Sequence, residues 1–294
     1  MEILNTEIRK ITARFISAHN VLSATNSASN CLLEFSNSLR TSTKLFEHRR
    51  GTSLEIAEDL GVDLTGILSD ILSEETITRI QSLFDVKGKG NYFVAIYGKP
   101  GRGNEWGFSI DGPLLSLNFT FKGEDFSAVP MLIGNYNPDT STTDVKDNPM
   151  ITEIGIPSDF MSMLDEEQLK KVVVSPIAPK DLIYSYSDKL SIIPAGMSLD
   201  QINTDDQKFF LGMILSVYLT RLKPSMANSF NTKFLSQRTN NYKLAWKGGL
   251  KMTDNFYYSI SSTKMIIEFI KLHEGNSDII TVMREKEYDY GMKL

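Results

Sequence analysis

The sequence predicts an α+β protein with a helical N-terminal third, followed by a mostly antiparallel sheet core that a helical hairpin interrupts. Apolar residues recur at helical spacing up to about residue 85, and they alternate or run in short blocks after residue 92. Helical patterns return between residues 165 and 234, and strand patterns return in the last quarter. Helices, strands, helices and strands in this order are typical of an α+β fold rather than of a doubly wound sheet.

Length and composition are those of a folded globular chain. The 294 residues include 41% hydrophobic and 23% charged side chains, which excludes intrinsic disorder. The 36 acidic residues outnumber the 31 basic ones, and the net charge of −5 argues against a nucleic-acid partner. The single cysteine, Cys31, excludes an internal disulfide and a thiolate metal cluster.

The N-terminal segment has an amphipathic helical pattern. Five apolar residues lie close to one helical stripe: Ile3, Ile8, Ile11, Phe15 and Ile16. The polar side carries both signs of charge, which favours a helix docked on the domain over one lying on a membrane surface. No apolar run is long enough for a signal-peptide core or a membrane span, so we expect a cytoplasmic protein without a membrane partner.

The helical N-terminal region is predicted to cover residues 1–85 and to pack on an α+β core at 86–294, so that both form one compact unit. Apolar residues between 64 and 72 repeat at helical spacing, and Ser73 is predicted to cap the next helix. The short, charged segment VKGKG at 86–90 is the best candidate boundary.

Strand patterns begin after this boundary. Three apolar or alternating segments, NYFVAIYG, WGFSIDG and LLSLNFTF, predict three or four strands between residues 92 and 133. A polar stretch at 138–149 is longer than most connections and is predicted to be a loop. We find no internal repeat in the sequence.

Three helical segments precede the last strands. A short helix is predicted at 165–172, where acidic residues open the first turn and lysines close the last. A longer helix is predicted at 204–222, and Pro224 ends it before a further helix that reaches Phe234. The last quarter is predicted to form strands at YKLAW, FYYSIS, MIIEFI and DIITVM.

Common catalytic and metal motifs are missing. The glycine-rich run at 98–103 lacks the spacing of a phosphate loop and is predicted to be a hairpin turn. His19, His48 and His273 share no short motif, and a buried structural thiol is the default for Cys31. The Gly-x-Ser-x-Gly signature of common hydrolases does not occur.

Two segments resemble the family called domain of unknown function 3500. The stretch WGFSIDGPLLSLN at 106–118 is similar to its Trp-Gly-Trp, two variable residues, Asp or Glu, then Gly-His-His-Leu-Ser-Leu-Asn. The stretch DIITVMREKEYDYG at 278–291 is similar to its His-x-His-Thr-Val-Trp-Arg-Asp-Pro, followed by Asn-Asp-Tyr-Gly. The resemblance covers about residues 90–291, and HRRG at 48–51 is only weakly similar to the family's Glu-Arg-Lys-Gly.

The histidine positions of this pattern are replaced. A His-x-His pair on a strand directs both imidazoles to one face, as a metal site requires. This chain has Pro113 and Leu114 in place of one pair, and Asp278 and Ile280 in place of the other. Of these four side chains only Asp278 could bind a metal ion. The resemblance therefore implies a degenerate, metal-free site, and we expect no cofactor.

A set of polar and aromatic residues from the family pattern remains. We take it as the candidate ligand-binding pocket, and it consists of Trp106, Asp111, Asn118, Arg284, Asp289 and Tyr290. The functional interpretation is a pocket in which Arg284 binds a small anionic molecule that stacks on Trp106. The structural interpretation is an internal ion pair from Arg284 to Asp111 or Asp289 that pins the last strand.

These residues leave three hypotheses open. The first is a ligand-binding or scaffolding protein with a degenerate site. The second is a metal-independent enzyme, hydrolase- or lyase-like, in which Asp111 or Asp289 acts as general base and Arg284 holds a small anionic substrate. The third is an interaction protein that forms a homodimer through the helical stripe at 3–16. The sequence alone does not decide whether the chain is an enzyme.

Overall fold

One sheet of thirteen strands forms the centre of the part of the chain that the computed structural model describes. The described residues are 2–25, 31–35, 50–135, 151–184, 191–227, 239–272 and 279–291. The predicted loop at 138–149, His48, His273, Asp278 and the helix end at Phe234 lie outside them. The combination of helices with a mostly antiparallel sheet confirms the α+β prediction.

The strands are numbered in chain order. They are β1 Leu32–Leu33, β2 Thr52–Ser53, β3 Phe93–Tyr97, β4 Glu105–Gly112, β5 Leu115–Lys122, β6 Asp125–Ser127, β7 Met131–Asn135, β8 Val173–Ser175, β9 Met197–Ser198, β10 Lys243–Gly248, β11 Phe256–Ser261, β12 Met265–Lys271 and β13 Ile279–Glu285. The order across the sheet is β1-β3-β4-β5-β7-β13-β12-β11-β10-β8, with β2 on β3, β6 on β5 and β9 on β10. Only the outer pairs β1–β3 and β8–β10 are parallel among these strands.

The helices lie where the sequence predicts them, except for the helix at 151–162, which was not predicted and contains Pro157. They are α1 Glu2–Ser23, α2 Leu54–Asp59, α3 Leu64–Ile71, α4 Glu74–Lys87, α5 Ile151–Ser162, α6 Glu166–Val172 and α7 Asp205–Leu219. The cap predicted at Ser73 is confirmed, because its side chain accepts a hydrogen bond from the Thr76 amide. The side chains of Asp165 and Thr204 cap α6 and α7 in the same way. No helix of the described residues is long and apolar enough to cross a membrane.

Two element boundaries differ from the prediction. Helix α4 runs on to Lys87 and ends where Gly88 adopts a positive φ of 78°. Helix α7 ends at Leu219 instead of Leu222. It stops early because Leu222 leaves the helix to form a β-bridge with Leu72.

The sheet consists of two similar antiparallel meanders, β3-β4-β5-β7 and β10-β11-β12-β13, which meet at β7 and β13. The registers of their first three strands match when 150 is added to the residue number, and the last strand matches when 152 is added. Phe93 pairs with Asp111 in the first meander, and Lys243 pairs with Ser261 in the second. We call residues 2–135 the first half and residues 151–291 the second half.

Equivalent contacts outside the meanders support an approximate twofold axis between these halves. Around the bridge from Leu72 to Leu222, the amide of Ser73 donates to the Arg221 carbonyl and the amide of Lys223 to the Ile71 carbonyl, both at 2.9 Å. The amides of Leu54 and Leu199 donate to the carbonyls of Tyr92 and Tyr242, which are again 150 residues apart. The chain therefore contains an internal structural repeat.

Two glycines mark the same tight approach in both halves. Gly51 has a φ of +99°, and a Cβ there would lie 1.8 Å from the Val94 carbonyl oxygen. Gly196 has a φ of +91°, and its Cβ would lie 2.0 Å from the Leu244 carbonyl oxygen. Only glycine fits at either position, because the edge of the meander passes so close to the chain.

The expectation that the chain has no internal repeat is therefore wrong. The halves share few identical residues, and the matches become visible only through the register. Equivalent identical residues include Tyr92 and Tyr242, Ala95 and Ala245, Gly98 and Gly248, Ser109 and Ser259, Ile110 and Ile260, and Phe119 and Phe269.

The two faces of the sheet differ in chemistry. Helices cover the face that carries Trp106 and Phe108, and the Phe15 ring of α1 lies 4.2 Å from the Phe108 ring. We call this the helix face. The opposite face carries Ser109 and Asp111 because side chains alternate along a strand. We call it the polar face.

Helix α1 uses its apolar stripe inside the chain. Ile8, Ile11 and Phe15 are buried, whereas Ile3 at the outer end is 70% exposed. This burial agrees with a helix docked on the domain, as its mixed polar side predicts. The buried part of the stripe is occupied by the chain's own core.

Candidate functional site

The structure separates Trp106 from the polar residues of the candidate pocket. Trp106 lies on the helix face, where its ring stacks on Phe121 at 4.5 Å and packs against Phe15 at 5.1 Å. Asp111, on the same strand, lies on the polar face. A ligand held by the polar residues therefore has no access to the Trp106 ring.

Asp111 and Asn118 are joined through Ser116 on the polar face. The Ser116 hydroxyl donates to the Asp111 carboxylate at 2.5 Å, and the Asn118 amide donates to Ser116 Oγ at 3.1 Å. The same amide also donates to the Pro130 carbonyl at 3.1 Å. All three side chains are buried, so this row satisfies polar groups inside the chain.

Arg284 forms a buried ion pair with Asp289, one of the two partners that the structural interpretation offers. Its Nε and Nη2 lie 2.9 and 2.8 Å from Asp289 Oδ2, and its Nη1 donates to the Tyr184 carbonyl at 2.7 Å. Burial raises the pKa of Asp289 above its ordinary value, although the Arg284 guanidinium and the Glu285 amide lower it. The pair fixes the turn after β13 against the end of that strand.

Tyr290 belongs to a short 3-10 turn, Asp289–Gly291, that lies against the first half. Its amide donates to the Val129 carbonyl at 2.8 Å. Gly291 lies so close to β5 that a Cβ there would be 2.3 Å from Thr120 Cγ2. The two family-like segments therefore meet through β5 and this turn, and not through direct pairing of β4 with β13.

Two of the replaced histidine positions lie side by side on the polar face. The Gly134 amide donates to the Leu114 carbonyl at 2.7 Å, and Gly134 pairs with Ile280 on β13. A Cβ at Gly134 would lie 2.8 Å from Leu114 Cβ. The missing side chain at Gly134 therefore lets positions 114 and 280 approach each other from its two sides.

Leu114 has a left-handed backbone conformation, which is unusual for leucine. Its φ is +59°, in the left-handed region, at the tight turn between β4 and β5. This conformation costs a residue with a Cβ about 1 kcal/mol, and histidine, asparagine and aspartate adopt it more often than leucine. The turn thus holds a leucine in a conformation that short polar side chains adopt more readily.

Glu268, on β12, completes this part of the polar face and was missed in the sequence. It lies directly opposite Val282, so it is a diagonal neighbour of Ile280 across the β12–β13 pair. Its carboxylate accepts hydrogen bonds from the Tyr257 hydroxyl at 2.8 Å and from the amides of Ile183 and Tyr184 at 2.9 and 3.0 Å. The side chain is fully buried.

The electrostatics of Glu268 set it apart from the other carboxylates of the polar face. Desolvation raises the pKa of Glu268 to about 7, although the donors from Tyr257, Ile183 and Tyr184 and the charge of Arg284 lower it. Burial, followed by the neighbouring Glu268, raises the pKa of Tyr257 as well, so its hydroxyl remains a donor. Glu268 therefore changes charge near neutral pH. The signal for it was a single acidic residue inside the apolar run MIIEFI.

Metal ligands are sparse in this arrangement. Among the described residues, no group of three histidine, cysteine, aspartate or glutamate side chains is placed to hold a metal ion. At the site itself, Glu268 has a carboxylate, whereas Leu114 and Ile280 have no ligand atoms.

A second buried charge cluster lies on the helix face and joins the two halves. Glu153 accepts from Arg79 Nη1 and from Arg221 Nη2, both at 2.8 Å. Arg221 Nη2 also donates to the Thr281 hydroxyl at 2.6 Å. Because Arg79 belongs to the first half and Glu153 to the second, the cluster is an ionic contact across the repeat.

The structure also has crevices away from the polar face. One, of about 230 Å³, lies between α1 and α3 and is lined by Arg14, Ser17 and Asp63, among others. Another, of only about 10 Å³, includes Arg221, Tyr218 and Met283 on the helix side.

A family model describes nearly the whole chain. It matches residues 5–292 and carries the description "Protein of unknown function (DUF3500)". The chain belongs to the DUF3500 family. Comparison with curated proteins and with solved structures finds no match. The family match begins at residue 5, so the DUF3500 likeness includes the N-terminal helices, where the sequence resemblance was weak.

Proposed function

We propose that this DUF3500 chain is a non-catalytic ligand-binding or scaffolding protein whose site is degenerate relative to the family's histidine pattern. The observation that carries the proposal is the juxtaposition of Leu114 and Ile280 across Gly134. Two imidazoles at these positions would face each other, with the Glu268 carboxylate beside one of them. Such a set supplies the three protein ligands of a typical catalytic metal site.

The internal partners of the polar groups support a non-catalytic role. Arg284, Asp289 and Asp111 are buried, and each is hydrogen-bonded inside the chain. A general base has to reach the proton that it removes, and an oxyanion holder has to reach the developing charge. These three residues are already committed to contacts that hold the turn and the β4–β5 hairpin.

Restoring the histidines tests this proposal. We expect Leu114→His with Ile280→His to bind one equivalent of Zn²⁺ or Co²⁺, because Glu268 supplies the third ligand. The unmodified chain should bind neither metal stoichiometrically. Isothermal titration with Zn²⁺ and the visible absorption bands of tetrahedral Co²⁺ measure this, and circular dichroism verifies that the variant is folded.

A matched control carries the same two imidazoles at positions that are not adjacent. In Leu114→His with Ile266→His, the second histidine stands opposite Arg284 instead of Gly134. This control should show at least ten-fold weaker Zn²⁺ binding. Stoichiometric metal on the polar face of the unmodified chain contradicts the proposal. So does a folded restored variant that binds no better than the control.

A metal-independent hydrolase or lyase acting on a small anionic substrate is the second candidate. The observation that favours it is Glu268, whose pKa of about 7 suits a general base, near the positive charge of Arg284. Turnover of chromogenic phosphate or carboxylate esters that disappears in Glu268→Gln would support it. Turnover that survives in Glu268→Gln does not use this site.

We also propose a cytoplasmic location. The single cysteine of the chain, Cys31, is buried and free. Reducing conditions keep such a thiol unpaired. Burial raises the pKa of Cys31 to about 11, which makes its thiol unreactive.

A further inference from the structure

The segment Leu182–Tyr184 crosses the polar face as irregular chain above β12 and β13. We call it the strap. It forms neither a helix nor a strand, and it reaches Glu268 and Arg284 from outside the sheet. Its position depends on side chains of the sheet and not on a β-ladder.

Three hydrogen bonds hold the main chain of the strap. The amides of Ile183 and Tyr184 donate to Oε1 and Oε2 of Glu268 at 2.9 and 3.0 Å. The Tyr184 carbonyl accepts from Arg284 Nη1 at 2.7 Å. One carboxylate thus binds two successive amides, and one guanidinium binds the carbonyl that follows them.

The strap also presents its side chains as a bound peptide does. Leu182 is 3% exposed and joins the main apolar cluster, whereas the next residue, Ile183, is 42% exposed. Tyr184 packs against Ile192 and Ile266. The strap therefore alternates a buried and an exposed side chain, and its main chain is hydrogen-bonded. Extended peptides are recognised in this way, because main-chain hydrogen bonds give affinity and alternate side chains give specificity.

We propose that Glu268 and Arg284 form a clamp for the main chain of an extended peptide, which the strap occupies within the same chain. The inference rests on the proposed function, because it names the ligand class of that site. The three hydrogen bonds use only amides and a carbonyl, so they do not distinguish the strap from another segment. The burial of Leu182 adds a preference for an apolar residue before the two clamped amides.

Freeing the clamp tests the proposal. In the full chain with Ile183→Pro and Tyr184→Pro, both donor amides of the strap are removed. The probe is the peptide Asp-Leu-Ile-Tyr-amide with fluorescein on its N-terminal amine, and its binding is measured by fluorescence anisotropy. We expect the double-proline variant to bind it at least ten-fold more tightly than the unmodified chain. Adding Glu268→Gln should weaken this binding at least ten-fold, whereas adding Glu166→Gln on the exposed side of α6 should not change it.

A second peptide separates the main-chain clamp from simple apolar attraction. The same sequence with N-methylated isoleucine and tyrosine amides keeps every side chain and loses both donors. We expect it to bind at least ten-fold more weakly. Equal binding of the two peptides, or no binding of either at millimolar concentration by the folded double-proline variant, overturns the proposal.

If the double-proline variant does not fold, amide hydrogen exchange in the full chain tests whether Glu268 binds the two amides of the strap. The amides of Ile183 and Tyr184 should exchange at least ten-fold faster in Glu268→Gln, while those of β10 keep their rates. Unchanged exchange at both amides overturns the clamp. The histidine-restoration experiment leaves the strap residues unchanged and uses no peptide, so a failed peptide experiment beside a positive metal result removes the clamp and leaves the proposed function standing.

Discussion

The two halves of the sheet share one backbone plan and differ in what they bury on the polar face. Asn118 in the first half and Glu268 in the second are equivalent positions, 150 residues apart in the matched registers. Asn118 donates to the Pro130 carbonyl, and Glu268 accepts from the amides of Ile183 and Tyr184. Each half therefore uses this position to bind main-chain groups of another segment, with a neutral amide in one half and an ionisable carboxylate in the other.

This difference shows where the two halves have diverged. The first half satisfies its polar row with neutral hydroxyl and amide groups around Asp111, and the second half carries Glu268, Tyr257 and Arg284. A carboxylate without a close cation is costly to bury unless several donors compensate it. The second half provides those donors through the amides of the strap.

Breaking the ionic contact between the halves should have the largest effect on the free energy of unfolding. Glu153→Gln leaves Arg79 and Arg221 buried without their shared carboxylate, and breaking a buried pair of this kind lowers the free energy of unfolding by about 3–5 kcal/mol. Urea unfolding followed by circular dichroism measures it. Glu75→Gln is the control, because Glu75 contacts Arg79 from the exposed side, and its effect should stay below about 1 kcal/mol. Equal effects of the two variants would show that the junction does not depend on Glu153.

The pH dependence of stability should distinguish the two halves. The pKa of Glu268 is about 7 in the folded chain and 4.5 when exposed, so the folded state holds a proton that the unfolded state has released. This stabilisation is complete below pH 4.5 and is lost as the pH rises to 7, by about 3 kcal/mol in all.

Thermal or urea unfolding between pH 4.5 and 8 measures this slope. Glu268→Gln should remove its contribution, and Asn118→Ala in the equivalent position should leave the slope unchanged. A slope that persists in Glu268→Gln would assign the titration to another group.

Alanine substitution at either of the two equivalent glycines should lower the free energy of unfolding by a similar amount. Alanine at Gly51 or Gly196 places a Cβ against a carbonyl oxygen of β3 or β10 and requires a strained positive φ. We expect each variant to lose about 2 kcal/mol or more of unfolding free energy. Gly212→Ala in α7 is the control, since nothing lies within 4 Å of its Cβ, and it should gain about 0.5–1 kcal/mol. A large loss at only one of the two glycines would weaken the equivalence of the halves.

Tyr257→Phe should give the smallest effect. It removes one donor to Glu268, which costs about 1 kcal/mol and raises the pKa of Glu268 further. The pH midpoint of the stability curve should therefore move upward. Tyr258→Phe is a matched control on the helix face, where the hydroxyl bonds to Tyr218 instead. A midpoint shift of the same size in Tyr258→Phe would rule out a specific contact from Tyr257.

Local signals in the sequence predict much of this fold. The cap predicted at Ser73 is confirmed because a cap depends on a side chain and an amide only a few residues away. The glycine-rich run at 98–103 is a hairpin connection between β3 and β4, as its spacing predicts. The end of α7 is different, because the Leu72–Leu222 bridge is a contact between distant segments.

The arrangement of the candidate site also depends on contacts between distant segments, which the local sequence does not predict. Strand alternation places Trp106 and Asp111 on opposite faces once β4 is continuous, and the sequence prediction grouped them by motif instead. The partner of Arg284 depends on the turn that returns Asp289 to β13. Glu268 stands outside both family-like segments, and only the register of β12 with β13 brings it next to Ile280.

The central pairing of β7 with β13 has a consequence for synthesis. The first meander ends in β7, whose free edge faces the position that β13 takes only after residue 279 has been made. Until then, a nascent or shortened chain carries an open strand in the middle of its future sheet. Such an edge recruits other strands, including those of neighbouring copies. Products shortened before residue 279 should therefore aggregate, and chaperones that shield strand edges should improve the yield of the intact protein.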